Sequence, residues 1–150
     1  LIELETLQTL VDDIGIHSIK DAVGDFEFSK KQLELLKDKV DIYSGNDNQT
    51  YDFVINGGVG VVSVASHVVG DEISEMISFA KDNDLEKAEE INMQLSNLFE
   101  AIFEEPSPGP IKKILSESWE EVGEPLLPIT SITPELANKI RGFYKKIKEN

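Results

Sequence analysis

Gly57-Gly58-Val59-Gly60-Val61-Val62-Ser63-Val64-Ala65 is the most informative run in the chain. Residues 60–65 are rich in β-branched side chains and apolar at both alternating sets of positions. That is the pattern of a parallel strand covered by helices on both faces. Two shorter runs precede it. Residues 40–43 read as a strand closed by the turn Ser44-Gly45-Asn46-Asp47, and residues 16–19 as a strand ending at Lys20. Helical patterns fill the gaps. Leu4, Leu7, Val11 and Ile14 recur at three- and four-residue steps, and Gly15 stops that helix. Residues 26–39 form a helix with Leu33, Leu36 and Val40 inward. Residues 49–56 form another, with Tyr51 or Phe53, Val54 and Ile55 facing in. Strand and helix alternate with short connections, which is a repeated βα unit and places the chain in the α/β class.

Downstream the pattern becomes wholly helical. Residues 71–81 and 85–103 read as two helices, the second with Ala88, Ile91, Leu95, Leu98 and Ile102 on one face. The breaker segment 105–110 precedes a helix over 111–119, with Pro110 in its first turn. Thr133 and Pro134 start a last helix that runs through Lys148. Residues 1–70 thus carry the βα units and residues 71–150 the last helix of that pattern and a C-terminal helical extension, in one structural domain. The chain opens without Met inside an amphipathic helix, so a piece of a larger domain is expected.

The charge excludes several functions. With 29 Asp and Glu against 14 Lys and Arg, the formal net charge is -15. Phosphate backbones and anionic lipid surfaces are repelled, so neither nucleic acid nor a membrane is an expected partner. There is no cysteine, which removes disulfides, thiolate metal ligands and a cysteine nucleophile. Two histidines, His17 and His67, are too few for a His-rich metal site, and the acids lack metal-ligand spacing. No metal and no cofactor is expected. No apolar run approaches the ~20 residues of a membrane span, and the first ten residues lack a basic signal-peptide region. The expectation is a cytoplasmic protein.

Lys20 is the strongest chemical candidate. Apolar surroundings disfavour the charged form of a lysine, and a neutral amine can attack a carbonyl to form a Schiff base. The C-terminal ends of strands are where βα barrels place their active sites. The competing reading is a lysine whose stem lines the sheet while its amine reaches water; spacing alone favours it. Ser44-Gly45-Asn46-Asp47 also follows a strand and reads as a site loop or a plain helix cap. The glycines at 57, 58 and 60 precede their strand and lack a Gly-Lys-Ser/Thr ending, so they do not form a phosphate loop. His17 is placed within the first strand, in the core or facing a covering helix, and His67 just beyond the third strand. Trp119 and the Phe99/Phe103 pair are read as packing.

Three segments together resemble a known family. They are Ile19-Lys20-Asp21-Ala22-Val23-Gly24-Asp25, Tyr43-Ser44-Gly45-Asn46-Asp47 and Gly57-Gly58-Val59-Gly60-Val61-Val62-Ser63-Val64. In order and spacing they are similar to the dihydrodipicolinate synthase family of pyruvate-dependent class I aldolases, which also holds N-acetylneuraminate lyase. Pro108-Gly109-Pro110-Ile111-Lys112 looks like that family's NPxPxK helix start, and Pro125-Leu126-Leu127-Pro128-Ile129 like its RLPL segment. The resemblance implies a fold: the C-terminal half of a TIM (β/α)8 barrel, strands 6–8, followed by a helical C-terminal extension. It also implies that Lys20 forms a Schiff base with pyruvate, that Gly45 and Val62 line the pyruvate pocket, and that the second substrate is an aldehyde. Asp47 matches a turn position without an assigned role. The implied reaction condenses pyruvate with aspartate semialdehyde in lysine biosynthesis. Another pyruvate-dependent aldolase, or an inactive half-barrel with a structural role, are the alternatives. A homo-tetramer is the implied assembly.

The departures are specific. The family's GTTGE-like carboxylate loop, its proton-relaying tyrosine and its substrate-binding arginine have no counterpart here. Tyr43 and Tyr51 do not lie in the tyrosine's motif. Pro125 stands where arginine is usual, Ser107 where asparagine is usual, and Val23 replaces a more common small or hydroxyl residue.

Overall fold

The computed structural model describes residues 1–149. The elements are α1 (Leu4–Thr9), continued by a π-helical turn (Leu10–Ile14), β1 (Ser18–Asp21), α2 (Phe26–Leu35), β2 (Asp41–Ser44), a 3-10 turn (Asp47–Gln49), α3 (Thr50–Ile55), β3 (Gly60–Val61), α4 (Ser66–Lys81), α5 (Leu85–Ala101), α6 (Gly109–Ser118) and α7 (Pro134–Lys148). The chain divides into two compact units, residues 1–63 with 77–88, and residues 64–76 with the chain from 89 onward.

The first unit holds the sheet. Its three strands are parallel and lie in the order β1-β2-β3. Ser18 pairs with Asp41, Lys20 with Tyr43, and Tyr43 with Gly60. Local chemistry sets the boundaries. Gly15 takes a left-handed φ of 77° after the π turn, a conformation that glycine adopts without a Cβ clash. The Asp25 carboxylate caps α2 by accepting from the backbone N–H of Glu27 and Phe28. One sheet face is covered. Ile42 is buried with Leu7, Val11, Leu33, Leu36 and Phe53, and Ile19, Phe26 and Val40 pack against this cluster. Phe26 and Phe53 meet edge to face, with centroids 5.9 Å apart. A second cluster joins Val54, Ala80 and Ala88, with Tyr51, Ile77 and Phe79 against it.

Several elements differ from expectation. β1 runs through Lys20 to Asp21, and β2 through Ser44, each later than the apolar run. The pairing of Asp21 with Ser44 accounts for both shifts, because polar residues can complete a ladder through their backbones. The third strand, expected over 60–65, is two residues long. Its pairing fades after the Val62 N–H donates to the Ser44 carbonyl at 2.8 Å. Val62 is 48% exposed, so the second covered face implied by its apolar run is absent at that residue. The helix expected from residue 71 starts at Ser66, and its backbone breaks at Val69. Ile55 is 39% exposed, and Phe53 is the residue that fills the core in α3. His17 lies before β1 and is exposed, not core.

The second unit is helical. Thr133 caps α7, its hydroxyl accepting from Leu136 N–H, and Glu105 receives both the N–H and the hydroxyl of Thr133. Trp119 is 73% exposed because it caps α6 beyond the last inward-facing turn, and Phe103, past the end of α5, is 49% exposed. Phe99 is buried. Among the described residues, no helix is long and apolar enough to cross a membrane.

Two expectations follow. Among the described residues, β1 and β3 each leave one edge without a strand partner, and such edges recruit other strands. The chain purified alone should therefore show dimers or larger species in sedimentation velocity, their share rising with concentration. A compact monomer with one sharp melting transition at every concentration contradicts this. In the second unit, Arg141 donates to both carboxylate oxygens of Glu117, from Nε at 2.7 Å and Nη2 at 2.6 Å. Hydrogen bonding from Arg141 holds the Glu117 carboxyl below its ordinary value, with Lys113 adding to it. A lowered carboxyl value means that the unfolded chain takes up more protons in acid. The pair's contribution is thus complete above the ordinary glutamate value of about 4.3 and is lost as pH falls through the folded one. Arg141→Met should lower the melting temperature near neutral pH, and the deficit should shrink below about pH 4. A deficit that stays constant through the acid range rules the pair out as its source.

Candidate active site

Strand alternation decides which side chains leave the helix-covered core. Ile19 and Ile42 enter it, so Ser18, Lys20, Asp41 and Tyr43 project from the opposite face. Lys20 is exposed there, opposite Tyr43. It is third of the four residues in β1, not the terminal one.

Gly45 follows Ser44, and it lies against Lys20. A Cβ built on Gly45 would stand 2.8 Å from Lys20 Cε, 2.6 Å from Ala22 Cβ and 2.9 Å from the Asp21 carbonyl oxygen. Its φ is not positive, so close approach, not turn geometry, accounts for the glycine. The Gly45 N–H donates to the Asp21 carbonyl at 2.6 Å. Asp21 itself is 4% exposed. Its Oδ1 accepts from Val23 N–H at 2.8 Å, and its Oδ2 has no hydrogen-bond partner among the described residues. A cavity of about 460 Å³ borders this end of β1, lined by Ile19, Lys20, Asp21, Phe28 and Gln32.

Val62 stands two residues past Gly60, the residue paired with Tyr43. Alternation puts it on the Lys20 side of the sheet, and the bond from its N–H to Ser44 ties it to β2. Lys20 near the end of β1, Gly45 just past β2 and Val62 just past β3 therefore lie at the C-terminal end of three parallel strands, whereas the sequence reading has Lys20 closing its strand and Val62 inside a longer one.

Side chains lace the loops around this end. Ser44 Oγ donates to the Asn46 carbonyl at 2.8 Å and accepts from Asn46 N–H at 3.1 Å. Asn46 Nδ2 donates to Gln49 Oε1 at 2.9 Å, and Gln49 Nε2 to the Gly24 carbonyl at 3.1 Å. Asp47, 2% exposed, accepts from the Ser63 hydroxyl. Composition and periodicity did not reveal the partners of Asp47 and Gln49, because these bonds join residues 16 and 25 positions apart. Elsewhere, His67 stands in the first turn of α4 with Nδ1 2.9 Å from the Val64 carbonyl.

The Gly45 contact yields a direct test. The Asp21 carbonyl and the Ala22 Cβ belong to the main chain or its first atom and cannot swing away. Gly45→Ala should cost about 1–3 kcal/mol, as overpacking typically does, read by urea unfolding. It should also change the rate at which Lys20 reacts with an amine-directed reagent. Unaltered stability and reactivity would show that neighbouring backbone absorbs the methyl.

Comparison with known proteins gives the family of the chain. Residues 1–147 match the model of the Dihydrodipicolinate synthetase family. The 4-hydroxy-tetrahydrodipicolinate synthase of Thermosynechococcus vestitus is 39% identical over 137 residues, covering 91% of this chain and 46% of that protein. The enzyme of the same name from Listeria monocytogenes is 32% identical over 148 residues, covering 99% and 50%. A crystal structure of dihydrodipicolinate synthase from Bacillus anthracis aligns with a TM-score of 0.88 at 33% identity, over 96% of this chain and 49% of that one. The chain spans about half the length of the curated relatives it matches. Its parallel βα units and helical extension are those of half a solved synthase chain, and the chain belongs to the dihydrodipicolinate synthetase family.

Proposed function

We propose that this chain carries the Schiff-base half of a lyase that condenses pyruvate with aspartate semialdehyde in lysine biosynthesis. The observation that supports it most is Lys20 itself, on the open face of a parallel sheet, with its stem against a residue that has no Cβ. The names of the relatives support the reaction class. The strands are then numbers 6, 7 and 8 of a (β/α)8 barrel.

The chemistry proceeds in balanced steps. The neutral amine of Lys20 attacks C2 of pyruvate, and the resulting carbinolamine loses water to give the imine. Loss of a methyl proton converts the imine to an enamine. The enamine carbon then bonds to the aldehyde carbon, whose oxygen takes up a proton while the imine re-forms. Addition of water or of an amine of the product at C2 and cleavage of the bond to nitrogen release the product and return the lysine amine. Gly45 leaves room for the imine beside the lysine stem, and Val62 bounds the pocket from the adjoining strand. The proton transfers need positioned acids and bases, which typically contribute ~10²–10⁴-fold each. Orienting the aldehyde contributes ~7–11 kcal/mol in favourable cases. The resemblance assigns these tasks to a tyrosine relay and an arginine whose motifs are not in these 150 residues.

Capture and turnover should therefore separate. Pyruvate with borohydride should add one pyruvate-derived mass to the 150-residue chain, mapped to Lys20, and Lys20→Ala should abolish it. Lys20→Arg should fail as well, since a guanidinium stays protonated. With pyruvate and aspartate semialdehyde, the same chain should turn over far below the usual range of roughly 1–10³ s⁻¹. Label retained in Lys20→Ala removes the assignment, and turnover within that range means that local groups supply the proton transfers.

A further inference from the structure

We propose that Asp47 is a positioning residue: through its bond to Ser63 it holds the loop that carries Gly45 against Lys20. This rests on the Schiff-base reading of Lys20 and assigns a role to a residue that touches neither pyruvate nor the amine.

The geometry is a clip centred on one short turn. The residues after β2 form the middle of three loops at the strand ends, and the 3-10 turn Asp47–Gln49 reaches both ways from it. Backward, Gln49 donates to the Gly24 carbonyl in the loop after β1. Forward, Asp47 accepts from Ser63, just past β3. Within the loop, Asn46 is bonded to both Ser44 and Gln49, and Thr50 Oγ1 donates to the Asn46 carbonyl at 3.3 Å. The segment from Ser44 to Thr50 is therefore bonded within itself, and Gly45 is part of it.

Rigidity matters here because the clearance is so small. The Gly45 Cα carries hydrogen where any other residue would press on Lys20 Cε. A shift of that loop by a fraction of an ångström changes where the lysine stem can lie. Strand pairing alone does not hold the far side, since regular β3 pairing ends at Val61. Asp47 makes its link where the ladder stops. It is also 2% exposed; a carboxylate is retained at such a position only with hydrogen-bond partners. The Gly45 N–H to Asp21 and Val62 N–H to Ser44 bonds hold the start of the loop. Of the two side-chain bonds that reach from the 3-10 turn, the surface-lying one of Gln49 is the more open to competition from water.

The test uses timed borohydride trapping on the 150-residue chain, with circular dichroism to confirm folding of each variant. Asp47→Ala should slow pyruvate capture by Lys20 by about tenfold, the scale expected when a reacting group is displaced by well under an ångström. Asp47→Asn keeps an oxygen that accepts from Ser63, and should stay within about threefold of the unaltered chain. Ser63→Ala removes only the donor and should also slow capture. Asp47→Ala with Ser63→Ala should be slowed by less than the product of the two single losses, since both single changes delete the shared bond. If Asp47→Ala does not fold, Ser63→Ala against Asp47→Asn carries the comparison. The proposal is overturned if folded Asp47→Ala or Ser63→Ala captures at the unaltered rate, if Asp47→Asn is as slow as Asp47→Ala, or if the double variant shows multiplied losses. Absence of capture in the unaltered chain removes the Schiff-base reading and this proposal with it. Normal capture in the unaltered chain with no effect of these variants removes this proposal only.

Discussion

A single missing carbon organises this end of the sheet. Where β2 ends, the chain passes close enough to Lys20 that a methyl group on residue 45 would lie 2.8 Å from the lysine stem. Parallel strands normally sit about 4.8 Å apart with side chains between their ends. Here the Gly45 N–H approaches the Asp21 carbonyl to 2.6 Å, and the space that a side chain would fill belongs to Lys20. The close approach depends in turn on the register of β1 on β2, which sets Lys20 opposite Tyr43 and Asp21 opposite Ser44. A one-residue slip would move Lys20 to the other face, into the apolar cluster around Ile42 and Phe53.

The register is held from the covered side. Ile42 is buried among Leu7, Leu33, Leu36 and Phe53 with the half-buried Ile19 packed against them, and full burial of a side chain such as Ile42 contributes roughly 1.5–3 kcal/mol. Exposing them to recover a slipped pairing would be costly, so the hydrophobic layer fixes the direction in which Lys20 points. The packed core and the candidate nucleophile thus occupy opposite faces of one sheet. The polar bonds of the loops act at a finer scale, linking the loop that carries Gly45 to the loops after β1 and β3.

Membership of the dihydrodipicolinate synthetase family gives this division of labour a context. The curated relatives are about twice as long as this chain. In the proposed reaction the lysine half supplies covalent capture of pyruvate, whereas proton relay and recognition of the aldehyde carboxylate need groups whose motifs lie outside these residues. Covalent capture asks only for an amine and room beside it, and both are local features of β1 and the loop after β2.

By itself the sequence determined the class of fold and the identity of the candidate nucleophile. Alternating βα punctuation, the stop at Gly15, the Thr133 cap and the inward faces of α2 and α5 all follow from local periodicity and capping, which act within a few residues. Lys20 was legible as a candidate because it follows an apolar run, and the role proposed for it rests on a resemblance that extends through the surrounding motif. The tertiary structure decided what local patterns cannot encode. It ended β3 after two residues although the apolar run continues, because strand length depends on a partner's backbone and not on hydrophobicity alone. It left Trp119 and Phe103 exposed, since both stand beyond the last inward-facing turn of their helices. It gave Gly45 its reason, a side chain 25 residues upstream, and Asp47 its partner 16 residues downstream. Contacts over such separations arise from how strands are laid side by side, and the order of residues along the chain carries no local trace of them.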